Sequence, residues 1–184
     1  YGFTNHAGQI CVSGTRILVQ RRIYEPFIKA MVETAYKLKP GDGFDPSTTI
    51  NTLISREHAN TVWEYIEKGK KQNARLVCGG NPYSEPLLKK GNFIPPTIFA
   101  DVTPEMEIFQ NEIFGPVACI TPFDTEEEAI SLANATKYGL AGGVFTKDIK
   151  RAIRVADRIN SGQIYINNYF SKGMIESPGT GWKE

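Results

Sequence analysis

The spacing of apolar residues divides the chain into alternating helices and strands. Apolar side chains at every third or fourth position predict a first helix whose buried face contains Ile23, Phe27 and Ile28, and which stops by 39–41. Residues that commonly cap helices precede three further stretches of the same period: Ser55, Thr125 and Asp148. Shorter apolar runs predict strands at 15–20, 74–78, 97–102, 117–121, 142–146 and 163–167. The stretch 81–92, with two prolines and a glycine, predicts a surface loop.

Strands that alternate with helices are typical of an α/β domain. We therefore expect a single domain over residues 1–184, built on a mostly parallel sheet with helices packed on it. In such sheets ligands bind beyond the carboxyl ends of the strands. We expect the functional loops to lie at those ends.

Composition and charge exclude several functional classes. The 21 basic and 20 acidic residues give a net charge of +1, which offers no electrostatic basis for binding nucleic acid or an anionic membrane. No apolar run approaches the roughly 20 residues that span a bilayer. Three widely spaced cysteines do not suggest a disulfide framework and are typical of a reducing compartment, so we expect a cytoplasmic protein.

Cys11 is the first candidate for chemistry because it stands among small and polar residues just before a predicted strand. A thiolate there can act as a nucleophile, whereas most free cysteines are packed as small apolar residues. Both interpretations of Cys11 remain open on composition alone. Cys78 and Cys119 lie in apolar strands, and we expect both to be packed.

Other candidates are weaker on pattern alone. Glu112 stands beside Phe114 and a Gly-Pro pair, which suits a hydroxylated ligand that stacks on a ring, but on pattern alone a solvated acid at a helix end is the preferred interpretation. His6 and His58 are candidate partners for a thiol, although neither is directed at Cys11 by local geometry. No glycine pattern matches a dinucleotide fingerprint or a P-loop, and no spacing matches a zinc site.

Four segments in order resemble the hallmarks of the aldehyde dehydrogenase superfamily. GQICVSGTR at 8–16 resembles its active-site cysteine motif, and NEIFGPV at 111–117 resembles its second hallmark. YGLAGGVFTKD at 138–148 and the residues SP and GWK at 177–178 and 181–183 resemble two further segments. The resemblance covers essentially the whole chain and implies the catalytic domain of that fold, with an open, twisted, mostly parallel sheet.

The resemblance implies a role for several residues. Cys11 would attack an aldehyde carbonyl, a hydride would pass to NAD or NADP, and the thioester would be hydrolysed. Glu112 would bind the hydroxyls of the nicotinamide ribose, and Phe114 would pack beside the nicotinamide. Asn167 and Phe170 would line the substrate tunnel.

The chain also departs from the family pattern. His6 stands where the family usually has asparagine, and Gly179 and Thr180 replace an aromatic-glycine pair. The NAD-binding domain, the general-base glutamate and the oligomerisation strand of the family are not recognised in the sequence, so we expect a piece of a longer protein that assembles as a homo-oligomer. Two alternatives stay open: an acyl-transferring enzyme that uses coenzyme A or phosphate, and a non-catalytic scaffold domain on the same fold.

Overall fold

A four-stranded sheet forms the centre of the fold in the structure, a computed structural model that describes residues 2–169 and 179–183. The strands lie in the spatial order β1-β4-β3-β2. They are β1 (Arg16–Gln20), β2 (Arg75–Cys78), β3 (Thr97–Ala100) and β4 (Val117–Phe123). Strand β4 pairs in parallel with β1 and β3, whereas β2 runs antiparallel to β3 at the edge. The mostly parallel, open sheet predicted from the sequence is present, with one antiparallel strand.

Helices cover the central sheet, and a second sheet stands apart from it. The helices are α1 (Tyr24–Ala35), α2 (Arg56–Lys71), α3 (Pro86–Lys90), α4 (Glu107–Gln110), α5 (Glu126–Asn134) and α6 (Ile149–Ala156). Strands β5 (Ala141–Val144) and β6 (Gln163–Ile166) form a separate parallel pair that contacts α6. The single sheet expected from the alternating pattern is therefore divided into two. Within the described ranges, no helix is long and apolar enough to cross a membrane.

Both faces of the two inner strands, β3 and β4, are buried, which explains why these strands read as continuous apolar runs. Successive side chains of a strand point to opposite faces. Phe99 and Cys119 accordingly pack in a core with α2 and α4, whereas Ile98 and Ile120 pack in a second core with α1. Each of these four side chains is at most 2% exposed. The sheet is therefore a rigid support for the loops that enter and leave it.

The capping residues seen in the sequence begin three helices. The backbone N–H groups of His58, Glu128 and Arg151 donate to the side chains of Ser55, Thr125 and Asp148, respectively. At the start of α5 the Glu128 carboxylate in turn accepts from the N–H of Asp124, the residue before the cap.

Three predictions of secondary structure or burial made from local sequence were wrong. Residues 86–90, predicted as loop, form α3, because a proline is compatible with the first turn of a helix. Helix α1 ends at Ala35, before the predicted stop at 39–41. Ile23 and Phe27, assigned to its buried face, are 48% and 36% exposed.

Ion pairs join α5 to α6. The Glu126 carboxylate accepts from Arg154 Nε at 2.7 Å and from Arg151 Nε at 3.1 Å. These contacts, the one from Arg154 first, lower the pKa of Glu126 to about 2. A carboxyl group with a lowered pKa stabilises the fold while it is ionised. This contribution is lost as the pH falls from the ordinary pKa of the group to its pKa in the fold.

Glu126→Gln is expected to flatten the acid side of the stability profile. The ordinary pKa of the group is 4.5 and the pKa in the fold is about 2, so the stabilisation is complete above pH 4.5 and disappears as the pH falls toward 2. Thermal unfolding followed by circular dichroism should show a smaller loss of Tm over that range in the variant than in the wild type. Glu57→Gln is the control, because Glu57 forms no ion pair with the described residues. Equal losses in wild type and Glu126→Gln would contradict the prediction.

Candidate active site

Cys11 lies in a tight turn before β1. The backbone reaches the turn in the left-handed region, with Gly8 at φ 77°. The Ser13 N–H donates to the Ile10 carbonyl at 2.9 Å, and Ser13 Oγ donates to the Gly8 carbonyl at 3.4 Å. Val12 is buried, whereas Cys11 is exposed. The turn is thus anchored by the neighbour of Cys11 and leaves the thiol accessible.

The other two cysteines have different surroundings. Cys78 and Cys119 are buried, and the Cys119 thiol donates to the Ile108 carbonyl at 3.3 Å. Burial raises the pKa of Cys78, and it raises the pKa of Cys119 to about 12. Both remain thiols at neutral pH, in agreement with the expected packing role.

The segment that follows α4 presents Glu112 and Phe114 at the surface. The backbone N–H of Glu112 donates to Tyr138 Oη at 3.1 Å, and its side chain is exposed. Phe114 has φ 56° and is 36% exposed. The left-handed region is disfavoured for a bulky residue, so contacts elsewhere must hold this turn.

Gly8 and Gly115 bring the two segments into contact. A Cβ on Gly8 would lie 2.1 Å from the Gly115 carbonyl oxygen, so the backbones approach more closely than any side chain would permit. Cys11 follows Gly8 by three residues, a span of at most roughly 11 Å of chain. Phe114 directly precedes Gly115. The structure thus joins the Cys11 turn to the Glu112 segment, which are about one hundred residues apart in sequence.

These segments lie at the amino ends of the strands, and not at the carboxyl ends where we expected functional loops. The Cys11 turn leads into β1, and the Glu112 segment leads into β4. The two strands are parallel, with Arg16 opposite Cys119, so both loops lie at the same edge of the sheet. The carboxyl-end rule describes sheets whose ligand loops leave the strands, whereas these loops enter them.

Asn167 follows β6, at a carboxyl end. Its Oδ1 accepts from the Thr146 N–H at 2.8 Å, and its Nδ2 donates to the Thr146 carbonyl at 2.9 Å. The amide therefore connects the residue after β6 to Thr146, the second residue after β5. The role of Asn167 in lining a substrate tunnel stays a prediction, and Phe170 lies outside the described residues.

Two further side chains connect the same region. A Cβ on Gly14 would lie 3.2 Å from Tyr169 Cε1, so the loop after β6 packs against the Cys11 motif. The Arg16 guanidinium stands 5.2 Å from the centre of the Tyr138 ring, a cation–π contact. Because Tyr138 Oη accepts from the Glu112 N–H, Arg16 supports the Glu112 segment indirectly.

His58 is a contact that the sequence pattern did not identify. Its Nε2 lies 2.7 Å from the Phe114 carbonyl oxygen, and the two rings meet edge to face with centroids 6.1 Å apart. The Ser55 cap correctly placed His58 in the first turn of α2. No local signal indicated its partner, which is 56 residues away. The backbone of His6, the other candidate histidine, is left-handed with φ 48°.

Comparison with known proteins is decisive at the family level. The family model for the aldehyde dehydrogenase family matches residues 1–184. The chain belongs to the aldehyde dehydrogenase family. The superfamily predicted from the four motifs is therefore confirmed, and so is the fold class.

Several aldehyde dehydrogenases are similar to the chain. Betaine aldehyde dehydrogenase 1 of Rhizobium meliloti (strain 1021) is 47% identical over 177 residues, which cover 96% of this chain and 36% of that protein. Aldehyde dehydrogenase citD of Monascus ruber is 41% identical over 177 residues, with coverages of 96% and 35%. A crystal structure of Staphylococcus aureus betaine aldehyde dehydrogenase in complex with NAD+ matches with a TM-score of 0.95 at 41% identity, covering 99% of this chain and 36% of that one. The chain thus spans little more than a third of the length of these relatives.

The last aldehyde dehydrogenase motif has a structural contact in this chain. Lys183 Nζ donates to the carbonyl of Asn134, the last residue of α5, at 2.9 Å and to that of Thr136 at 2.7 Å. The Trp182 N–H donates to the Gly139 carbonyl at 2.9 Å. Among residues 2–169 and 179–183, no group of three or more histidine, cysteine or acidic side chains is placed to hold a metal ion.

Thiol labelling of the native protein is expected to modify Cys11 first. Cys11 is exposed, whereas Cys78 and Cys119 are buried with raised pKa values. Iodoacetamide at neutral pH, followed by peptide mass spectrometry, measures the three rates, with labelling in denaturant as the control for intrinsic reactivity. Equal rates for the three thiols in the native protein would contradict this assignment of their surroundings.

Gly8→Ala is expected to destabilise the protein strongly. The left-handed backbone alone costs about 1–2 kcal/mol for a residue with a Cβ, and the collision with Gly115 adds to it. Gly43→Ala is the control, because a Cβ there meets nothing within 4 Å. Chemical denaturation should show a loss of at least about 2 kcal/mol for Gly8→Ala and a change within about 0.5 kcal/mol for Gly43→Ala. Similar small effects in both variants would show that the two loops do not touch as described.

Proposed function

We propose that the protein containing this chain oxidises an aldehyde to a carboxylic acid, with NAD+ or NADP+ as cofactor, through a thioester on Cys11. The observation that carries the proposal is the contact of Gly8 with Gly115, which joins the segment of an exposed thiol to the segment of an exposed carboxylate and aromatic ring. Family membership supports it, as do solved relatives that contain NAD+. In one of them a cysteine is modified by BME, which is the behaviour of a reactive thiol.

Cys11 acts as the nucleophile in this proposal. Its sulfur adds to the aldehyde carbon, and negative charge develops on the carbonyl oxygen. The Cys11 N–H donates no hydrogen bond to the described residues, so it is available to stabilise that oxygen. Loss of a hydride from the adduct leaves a thioester on Cys11, and attack by water on the thioester carbon releases the acid and restores the thiol.

Glu112 and Phe114 are proposed to hold the nicotinamide end of the cofactor. The exposed Glu112 carboxylate is a suitable acceptor for two ribose hydroxyls, and the Phe114 ring offers an apolar surface beside it. When bound, the cofactor supplies the acceptor for the hydride. The chain's own contribution is to fix both side chains on a turn whose backbone is held by Tyr138 and His58.

Asn167 and Phe170 are proposed to line the path of the substrate. Several relatives are betaine aldehyde dehydrogenases, so betaine aldehyde is the first substrate to test, beside a short aliphatic aldehyde. We further propose that residues 1–184 are a single thiol-bearing domain, and that the general base and most of the cofactor site come from other parts of the protein. We also propose that the full-length protein is a homo-oligomer and is located in the cytoplasm. The three free cysteines are compatible with that compartment.

Cys11→Ala is expected to abolish aldehyde-dependent formation of NADH or NADPH in the protein that contains the chain. Turnover should fall by at least about 10³-fold, because removing a nucleophile eliminates the covalent route. Cofactor binding, measured by calorimetry, should be unchanged, because the thiol is not a ligand of the ribose in this proposal.

Cys78→Ala is the matched control, a cysteine removed from the buried sheet. It should retain turnover at temperatures well below its Tm. Retained turnover in Cys11→Ala would refute the assignment of the nucleophile.

A further inference from the structure

His58 is held in place by the start of α2. The Ser55 hydroxyl accepts from the His58 N–H at 3.1 Å, which caps the helix and fixes its first turn. From this turn the imidazole reaches the segment before β4, with Nε2 at 2.7 Å from the Phe114 carbonyl oxygen. The two rings also touch edge to face, at an interplanar angle of 63°. His58 thus contacts Phe114 through both a hydrogen bond and its ring.

The same face of α2 also packs against Gly115, the residue after Phe114. Val62 lies four positions after His58, one helical turn along, and is fully buried. A Cβ on Gly115 would come within 2.8 Å of the Val62 side chain. Helix α2 therefore determines both the position of the Phe114 carbonyl and the path of the chain at Gly115.

The chemistry of the contact determines which atom carries the hydrogen. A carbonyl oxygen only accepts, so His58 Nε2 must donate. The neutral ring with hydrogen on Nε2 and the imidazolium both meet this requirement. The contact is therefore a backbone tether and does not depend on the ring changing its charge.

Phe114 needs such a tether because of its backbone conformation. With φ 56° it occupies the left-handed region that residues with a Cβ disfavour. The Glu112 N–H is held from the other side by Tyr138 Oη. Between these two hydrogen bonds the backbone of the segment is held at both ends, while the side chains of Glu112 and Phe114 remain exposed.

We propose that His58 is a positioning residue, whose Nε2–H holds the Phe114 carbonyl and thereby sets the orientation in which Phe114 and Glu112 meet the cofactor. This inference rests on the proposed function for its catalytic consequence. The tether itself is a property of the fold and can be measured without turnover.

Two variants in the full-length protein separate the hydrogen bond from the ring. His58→Gln keeps an N–H donor the same number of bonds from Cβ as Nε2, and His58→Phe keeps an aromatic ring without a donor. Hydrogen exchange of peptides covering residues 111–117, in the cofactor-free protein, should accelerate in His58→Phe and stay near the wild-type rate in His58→Gln. In steady-state kinetics His58→Phe should raise KM for NAD+ about 5–10-fold, the loss of one hydrogen bond, with KM for the aldehyde within about twofold.

Ile66→Val controls for a general weakening of α2. It removes a methyl group from a fully buried side chain about two helical turns beyond His58 and should lower Tm, but it should leave KM for NAD+ within about twofold of the wild type because the Ser55 cap and the His58 side chain are retained. A rise in KM for NAD+ in Ile66→Val equal to that in His58→Phe would overturn the positioning role in favour of helix stability.

Three further outcomes of the exchange and kinetic measurements would overturn parts of the proposal. Unchanged exchange in His58→Phe overturns the tether, and this holds even if the wild type shows no aldehyde oxidation, a result that would instead refute the proposed function. Equal effects of His58→Phe and His58→Gln overturn the hydrogen bond as the cause. Accelerated exchange with an unchanged KM for NAD+ in an active enzyme overturns the consequence for the cofactor.

Discussion

The backbone contact between Gly8 and Gly115 is the constraint on which the site depends. A single Cβ on Gly8 would lie 2.1 Å from the Gly115 carbonyl oxygen, so the contact exists only because Gly8 lacks a side chain. The parallel pairing of β1 with β4, with Arg16 opposite Cys119, brings the two loops to the same edge of the sheet. The buried sheet supplies the register and the glycines supply the close approach. Neither alone would place the Cys11 turn against the Phe114 turn.

The Glu112–Phe114 segment combines a fixed backbone with free side chains. Tyr138 holds its main chain from one side, and two residues of α2, His58 and Val62, hold it from the other. The side chains that would meet a ligand remain exposed. A site of this kind avoids the entropy cost of ordering a loop when the ligand binds, because the loop is already ordered by the fold. The specificity of the motif thus lies as much in its supporting contacts as in its own residues.

Much of the fold could be predicted from local sequence, and the parts that could not be predicted depend on distant contacts. The Ser55, Thr125 and Asp148 caps were readable because a cap acts within three residues of its helix. The division into two sheets and the antiparallel direction of β2 follow from tertiary packing, which periodicity does not encode. For the site, Cys11 and Glu112 were candidates on local pattern, but their roles were predicted only through the family resemblance, and the contact of His58 with Phe114 carries no local signal at all.

Backbone strain is concentrated where the proposed chemistry occurs. Among the described residues, the non-glycine residues with positive φ include His6, Ala7, Phe114 and Asn167, with only Asn73 and Asp101 outside the site segments. Unfavourable conformations persist where surrounding contacts over-determine them, and here the contacts are identifiable. His58 holds Phe114, and both polar atoms of the Asn167 amide are bonded to Thr146. A relaxed backbone at Phe114 would turn its ring away from its present direction, so the strain is the condition under which the ring and the Glu112 carboxylate face outward together beside the Cys11 turn.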